Sequence, residues 1–82
     1  MSGIPVRLTE LPRSASSRIL GFAPDHPSVE IRLREIGFAE GDSVTPMHVG
    51  LFGRNPMSVR VNGATIALRR EDARAILVET TS

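Results

Sequence analysis

Apolar residues recur at helical spacing in one stretch that lies between Pro27 and Gly37. Val29, Leu33 and Ile36 share one face of a helix in this stretch, and the charged residues between them fall on the other face. Proline suits the first turn, where its missing N–H has no helical partner, and glycine adopts the positive φ that often follows the last turn. The pattern predicts an α-helix from Pro27 to Ile36.

An Asn-Gly pair, Asn62 and Gly63, lies between two stretches that alternate apolar and polar residues. Both central residues of a two-residue type I′ turn need positive φ, which this pair adopts readily. A turn at this place puts three apolar pairs on one face of a hairpin: Met57 with Leu68, Val59 with Ile66, and Val61 with Ala64. A slip of one residue would bury Arg60 and expose Val59, so the pattern also predicts the register.

The other apolar runs are short and bounded by proline, glycine or charged residues. They predict extended segments at 6–11, 16–22, 42–49 and 76–79. Gly21 indicates a bulge, and Pro46 indicates an edge strand or a second bulge, because proline cannot donate to a ladder. A helical turn is expected just before the last segment, stabilised by the packing of Ala73 and Ile76. The predicted fold class is mainly β: a small bent barrel of about five to six short strands, with one α-helix (about 27–36) and a short helical turn (about 70–75).

The composition excludes several classes of protein. A chain of 82 residues forms one small domain with little room for a deep enzyme cleft. It contains no cysteine, so neither disulfides nor thiolate metal sites stabilise it, as is typical of a reducing compartment. The first residues do not resemble a signal peptide, and no apolar run is long enough to span a membrane. We therefore expect a cytoplasmic protein.

All ten basic residues are arginine, which excludes a P-loop lysine, a Schiff base and a catalytic lysine. No nucleophile elbow or comparable setting surrounds the serines, so we expect no enzymatic activity. The formal net charge is only +1, which is weak support for binding to nucleic acid.

Three parts of the chain together resemble the ferrous iron transport protein A family, FeoA, over about residues 16–79. They are the helix with its Gly-Phe-Ala-Glu-Gly stop, the Gly-Leu-Phe-Gly-Arg-Asn-Pro segment at 50–56, and Ala-Leu-Arg-Arg followed by Ile-Leu-Val at 67–78. Many relatives have Pro-Leu-Gly-Asp-Pro where this chain has the second of these parts. Each part is a weak signal alone, and their order and spacing make the resemblance specific.

The resemblance implies a single SH3-like domain over residues 1–82 that works beside FeoB, a ferrous-iron permease with a cytosolic G domain. The chain would bind that domain or an adjoining region at the inner face of the membrane, modulate the permease, and perform no catalysis. Similar domains end the iron-dependent repressors, so a metal-sensing domain is one alternative. A second is a small barrel that binds nucleic acid through arginine. A homodimer is compatible with each of these functions.

An aromatic residue in a loop beside arginine is the kind of anchor that dominates small interfaces. The sequence therefore predicts a partner-binding surface on this loop and on the exposed side of the helix, made of Leu51, Phe52, Arg54, Met57, Ile31, Arg32 and Arg34. In the alternative interpretation, Leu51 and Phe52 close the end of the barrel and the arginines only keep the surface hydrated.

Asp25 and His26, with Glu30 one helical turn later, form a candidate metal site. An imidazole and carboxylates suit Zn²⁺ or Fe²⁺, particularly when two chains share the site. The alternative is that Asp25 caps the helix, His26 lies in a hydrated loop and Glu30 belongs to a solvated face. No cofactor is expected to be required.

Overall fold

The computed structural model describes residues 4–24, 27–47 and 56–79. Within these ranges the elements are, in chain order, β1 (Val6–Arg7), a 3₁₀ helix (Leu8–Glu10), β2 (Ser17–Phe22), α1 (Pro27–Ile36), β3 (Ser43–Pro46), β4 (Met57–Val61), β5 (Ala64–Leu68), α2 (Arg70–Ala73) and β6 (Ile76–Val78). The strands pair antiparallel in the order β1-β6-β2-β3-β4-β5. The prediction of a mainly β fold with one helix and a short helical turn is confirmed.

The hairpin of β4 and β5 has the turn and the register that the sequence predicts. Asn62 and Gly63 have φ values of 51° and 80°, which lie in the left-handed region that a type I′ turn requires. The three predicted apolar pairs lie opposite one another. Met57, Val59 and Val61 are all buried, so β4 contributes alternate side chains to the core.

The helix α1 has the predicted bounds but a narrower buried face. Leu33 is the residue of α1 that is fully buried, and Val29 packs partly buried against the core. The prediction that Ile36 belongs to the apolar stripe is wrong, because its side chain is 43% exposed. Phe38 covers the core at this end instead. Its N–H donates to the carbonyl of Leu33 at 3.1 Å, which folds the chain back over the last turn, and its side chain is buried.

Of two predictions about irregular strands, one is confirmed and one is wrong. The pairing of β2 with β6 shifts register between Ile19 and Gly21, so the predicted bulge is present. However, β3 lies between β2 and β4, and the prediction that Pro46 marks an edge strand is wrong. The sheet accepts this proline because Met47, the next residue, donates the bond to β4, from its N–H to the carbonyl of Ser58 at 2.8 Å.

The core joins residues that are distant in sequence. Its fully buried members include Leu8 from the 3₁₀ helix, Ile19 from β2, Val44 from β3 and Ile76 from β6. The first segment is therefore not an extended strand throughout, because the chain turns after β1 to bury Leu8. No helix within the described ranges is both long enough and apolar enough to cross a membrane.

Candidate functional site: a docking surface

A cleft of about 320 Å³ lies where the 3₁₀ helix, the end of β3, the start of β4 and α2 meet. It is lined by Thr9, Leu11, Arg13, Pro46, Met47, Met57 and Arg70. The volume is near the lower limit of small-molecule pockets, so the cleft suits a side chain or a short peptide better than a large ligand. Its lining combines apolar side chains with a threonine hydroxyl and two arginines. We call these seven residues the arginine cleft.

The arginine cleft adjoins both ends of the predicted binding loop. Leu51, Phe52 and Arg54 lie outside the described residues, so their predicted role remains a prediction. Met47, the last residue described before this segment, lines the cleft, and so does Met57, which closely follows it. The segment that carries the predicted binding residues is therefore flanked in sequence, on both sides, by residues that line the cleft.

Met57 was predicted to contact a partner, and the structure places most of its surface in the core. Its side chain is 6% exposed and belongs to the hydrophobic cluster. The alternation of β4 explains this placement, because Met57 shares the inward face with Val59 and Val61. It can contribute to a docking surface only as part of the wall of the arginine cleft.

The exposed side of α1 is connected to the arginine cleft through α2. Ile31 is 60% exposed, which is unusual for an isoleucine on a helix that packs against a core. Its neighbour Arg32 forms an ion pair with Asp72 of α2, with 3.7 Å between Nη2 and Oδ1. Because α2 begins with Arg70, which lines the cleft, the exposed side of α1 and the arginine cleft both border this short helix.

Arg34, in contrast, stabilises the turn after α1. Its Nη1 and Nη2 donate to the two carboxylate oxygens of Glu40 at 2.8 and 2.7 Å, and its Nε donates to Glu30 at 2.9 Å. The guanidinium carbon lies 4.6 Å from the centre of the Phe22 ring. The hydrogen bonds from Arg34 lower the pKa of Glu40 to about 2, so this carboxylate stays ionised at neutral pH. Most donors of Arg34 are thus already used within the chain.

Sequence reasoning missed Glu40 as the partner of Arg34. The pair of Glu30 and Arg34 was visible as an i,i+4 spacing on the predicted helix. Glu40 follows the glycine that ends the helix, and its contact with Arg34 depends on how the chain turns there. That direction comes from the burial of Phe38 and not from a local sequence pattern.

Two of the three predicted metal ligands, Asp25 and His26, lie outside the described residues. Glu30 is half-buried, and its Oε2 accepts the hydrogen bond from Arg34. In the part of the chain that the structure describes, no three histidine or acidic residues gather as a metal site would require. The donors of the predicted site, one imidazole and two carboxylates, fit Zn²⁺ or Fe²⁺ chemically, and the site remains a prediction.

Comparison with protein-family models identifies the family of this chain. The model of the FeoA domain matches residues 6–80. The chain belongs to the FeoA family. FeoA proteins are small and associated with ferrous iron transport, and they are not a known enzyme family. No curated protein sequence gives a significant match.

Solved structures of FeoA proteins have the same fold. FeoA from Stenotrophomonas maltophilia, solved with zinc, is 31% identical, with a TM-score of 0.74 over 95% of this chain and 88% of that one. It is described as a prokaryotic SH3 domain protein, and a role as a ferrous iron transport activating factor is suggested for it. A FeoA-like protein from Clostridium acetobutylicum is 23% identical, with a TM-score of 0.78 over 90% of this chain and 84% of that one. The predicted SH3-like fold is confirmed.

A repressor shares this fold as one part of a longer chain. A manganese-dependent transcriptional repressor is 16% identical and has a TM-score of 0.81. The match covers 99% of this chain but 44% of the repressor. At this identity the likeness concerns the fold alone.

Proposed function

We propose that this FeoA-family chain is an accessory protein of ferrous iron uptake that binds the cytosolic part of the FeoB permease and modulates it. The observation that supports this most is the match of the FeoA domain to residues 6–80. The chain would act in the cytoplasm, at the inner face of the membrane, by binding the G domain of the permease or a region that adjoins it.

The proposed contact surface consists of the arginine cleft, the loop that carries Leu51, Phe52 and Arg54, and the exposed side of α1 around Ile31. The cleft offers apolar contact beside cationic side chains, a combination typical of the centre of small interfaces. Phe52, which lies in the sequence between the cleft residues Met47 and Met57, would add an aromatic anchor.

The first prediction concerns this surface. We expect the double variant Phe52→Ala with Arg54→Glu to capture the cytosolic part of FeoB at least about tenfold less well than the unaltered chain, because an aromatic anchor and an arginine are both lost. The measurement is a quantitative pull-down or calorimetric titration with purified FeoB fragments and the full chain.

A matched control is Arg18→Glu, which makes the same charge reversal on β2. Arg18 is exposed and borders a separate depression with Ser16, Ser43 and Glu79. This control should bind like the unaltered chain. Equal capture by all three proteins would exclude the proposed surface, and failure of the unaltered chain to bind FeoB would exclude the partner.

Zinc in the S. maltophilia FeoA favours metal binding as a second candidate function. We infer that Asp25, His26 and Glu30 would supply the ligands in this chain. Because Glu30 accepts a hydrogen bond from Arg34 at 2.9 Å, a metal ion would compete with that arginine for the carboxylate. Metal binding and the contact of Arg34 with Glu30 would then be coupled.

The second prediction tests this site by calorimetry with Zn²⁺, and with Fe²⁺ under anaerobic conditions. We expect His26→Ala to weaken Zn²⁺ binding by at least about tenfold, because it removes the only imidazole of the proposed set. His48→Ala is the matched control and should bind as the unaltered chain does. Unchanged binding by His26→Ala would rule out the named ligands.

Binding to nucleic acid has less support than either of these functions. Arg32, Arg34 and Arg69 each form an ion pair with a carboxylate, which reduces the positive charge available to phosphates.

A further inference from the structure

One edge of the sheet ends at β5. Within the described residues, β5 pairs with β4 on one side, and no strand pairs with β5 on its other side. No backbone hydrogen bond in the described part of the chain reaches that outer side from a turn or a loop either. An edge strand of this kind presents backbone N–H and C=O groups that can pair with another chain.

The hydrogen-bond pattern identifies which groups face outward. Met47 donates to the carbonyl of Ser58, so the backbone groups of Ser58 point towards β3. The groups of the neighbouring residue Val59 then point towards β5, where Val59 lies opposite Ile66. Because these directions alternate along a strand, the N–H and C=O groups of Thr65 and Ala67 point away from β4, towards the open edge.

The side chains of β5 provide none of the usual protection for an edge. The strand Ala64–Leu68 contains no charged residue and no proline, and natural proteins commonly use both to block edge-to-edge pairing. Thr65 and Ala67 are exposed and short, so a second strand could approach without steric conflict. Ile66 is half-buried and leaves apolar surface at the same edge.

We propose that β5 pairs antiparallel with β5 of a second copy of this chain, about a two-fold axis that passes beside Ile66. In this register Thr65 of each copy lies opposite Ala67 of the partner subunit. Within each pair, the N–H of either residue donates to the carbonyl of the other. The seam has about four backbone hydrogen bonds. The two Ile66 residues then form the non-hydrogen-bonded pair, whose side chains lie closest together, and they bury each other.

The charge that follows β5 favours the antiparallel arrangement over a parallel one. Arg69 comes directly after the strand and forms an ion pair with Asp72 of its own chain, with 3.3 Å between Nε and Oδ2. Antiparallel pairing keeps the Arg69 residues of the two copies at opposite ends of the seam. Parallel pairing would place the two arginines together, which is unfavourable.

The third prediction concerns the oligomeric state of the unaltered chain. We expect a reversible dimer in sedimentation equilibrium, with a dissociation constant on the order of tens of micromolar, because a single two-strand seam is a small interface. In amide hydrogen exchange, protection of Thr65 and Ala67 should rise with protein concentration. Ile66, whose N–H faces β4, should be protected at every concentration.

Ala67→Pro tests the seam because it removes an N–H that points outward and leaves the bonds to β4 intact. We expect its dimer to be at least about tenfold weaker, with an unchanged circular dichroism spectrum. Ala67→Thr keeps the N–H and is the matched control, which should dimerise normally. If the proline prevents folding, the double variant Thr65→Lys with Ala67→Lys serves instead, because it places like charges along the seam.

Three outcomes would overturn the proposal. One is a chain that stays monomeric at about 1 mM, well above the expected dissociation constant. Another is a dimer in which the protection of Thr65 and Ala67 does not depend on concentration. The third is a folded Ala67→Pro or double-lysine variant that dimerises as strongly as the unaltered chain. The test does not involve FeoB, so its result is separate from that of the proposed function.

Discussion

Phe38→Ala is expected to lower the free energy of unfolding by about 3–5 kcal/mol. Phe38 is 1% exposed and is among the largest fully buried side chains, so its removal leaves a cavity that surrounding groups cannot fill. A chain of this size has a total stability of about 4–12 kcal/mol, so the loss is a large fraction of the whole. The midpoint of thermal unfolding should fall by at least roughly 12 °C.

The effect of Phe38→Ala can be separated from a general weakening of the helix end. Ile36→Ala changes an apolar residue two positions earlier whose side chain is 43% exposed. Little burial is lost there, so we expect the free energy of unfolding to change by less than about 1 kcal/mol. Urea unfolding followed by circular dichroism measures both variants. Similar losses in the two variants would mean that Phe38 is not the buried residue that closes this end of the core.

Gly37→Ala is expected to destabilise the protein by about 1–3 kcal/mol through backbone strain alone. Gly37 has a φ of 130°, a conformation that residues with a Cβ rarely adopt, and no atom lies within 4 Å of the place where that Cβ would be. The loss would therefore come from the conformation and not from a steric clash. The same strain would disturb the turn that brings Glu40 to Arg34.

Gly21→Ala is a suitable comparison because it adds the same methyl group without that strain. No atom lies within 4 Å of its added Cβ, and its φ is not in the positive range. Since alanine reduces the entropy of the unfolded chain, stability should stay the same or rise by about 0.4–1 kcal/mol. Thermal and urea unfolding of both variants give the contrast, and equal stability of the two would contradict the assigned role of Gly37.

The predicted docking surface shows how two local sequence patterns can compete for the same residue. Met57 belongs to the inward face of a hairpin that the sequence predicts with its register, and it also lies beside the loop that carries Phe52. The hairpin pattern prevails because burial of an apolar side chain in the core contributes about 1.5–3 kcal/mol, more than an exposed position offers. Arg34 serves the turn after α1 for a different reason, because two carboxylates accept its hydrogen bonds there and an aromatic ring lies beside it.

The sequence by itself determined the features that depend on neighbouring residues. The bounds of α1 follow from Pro27 and Gly37, and the register of β4 with β5 follows from Asn62 and Gly63, because these residues restrict or permit particular φ values locally. The family was also recognisable from the order of short motifs along the chain.

Only the tertiary structure decided the features that join distant segments. The arginine cleft brings together residues between Thr9 and Arg70, and β3 lies inside the sheet although it contains Pro46. Ile36 is exposed whereas Phe38 is buried, and the unprotected edge of β5 follows from the strand order. No periodicity or turn motif records such contacts. They depend on which side chains cover the small core, and this is determined only when the whole chain packs.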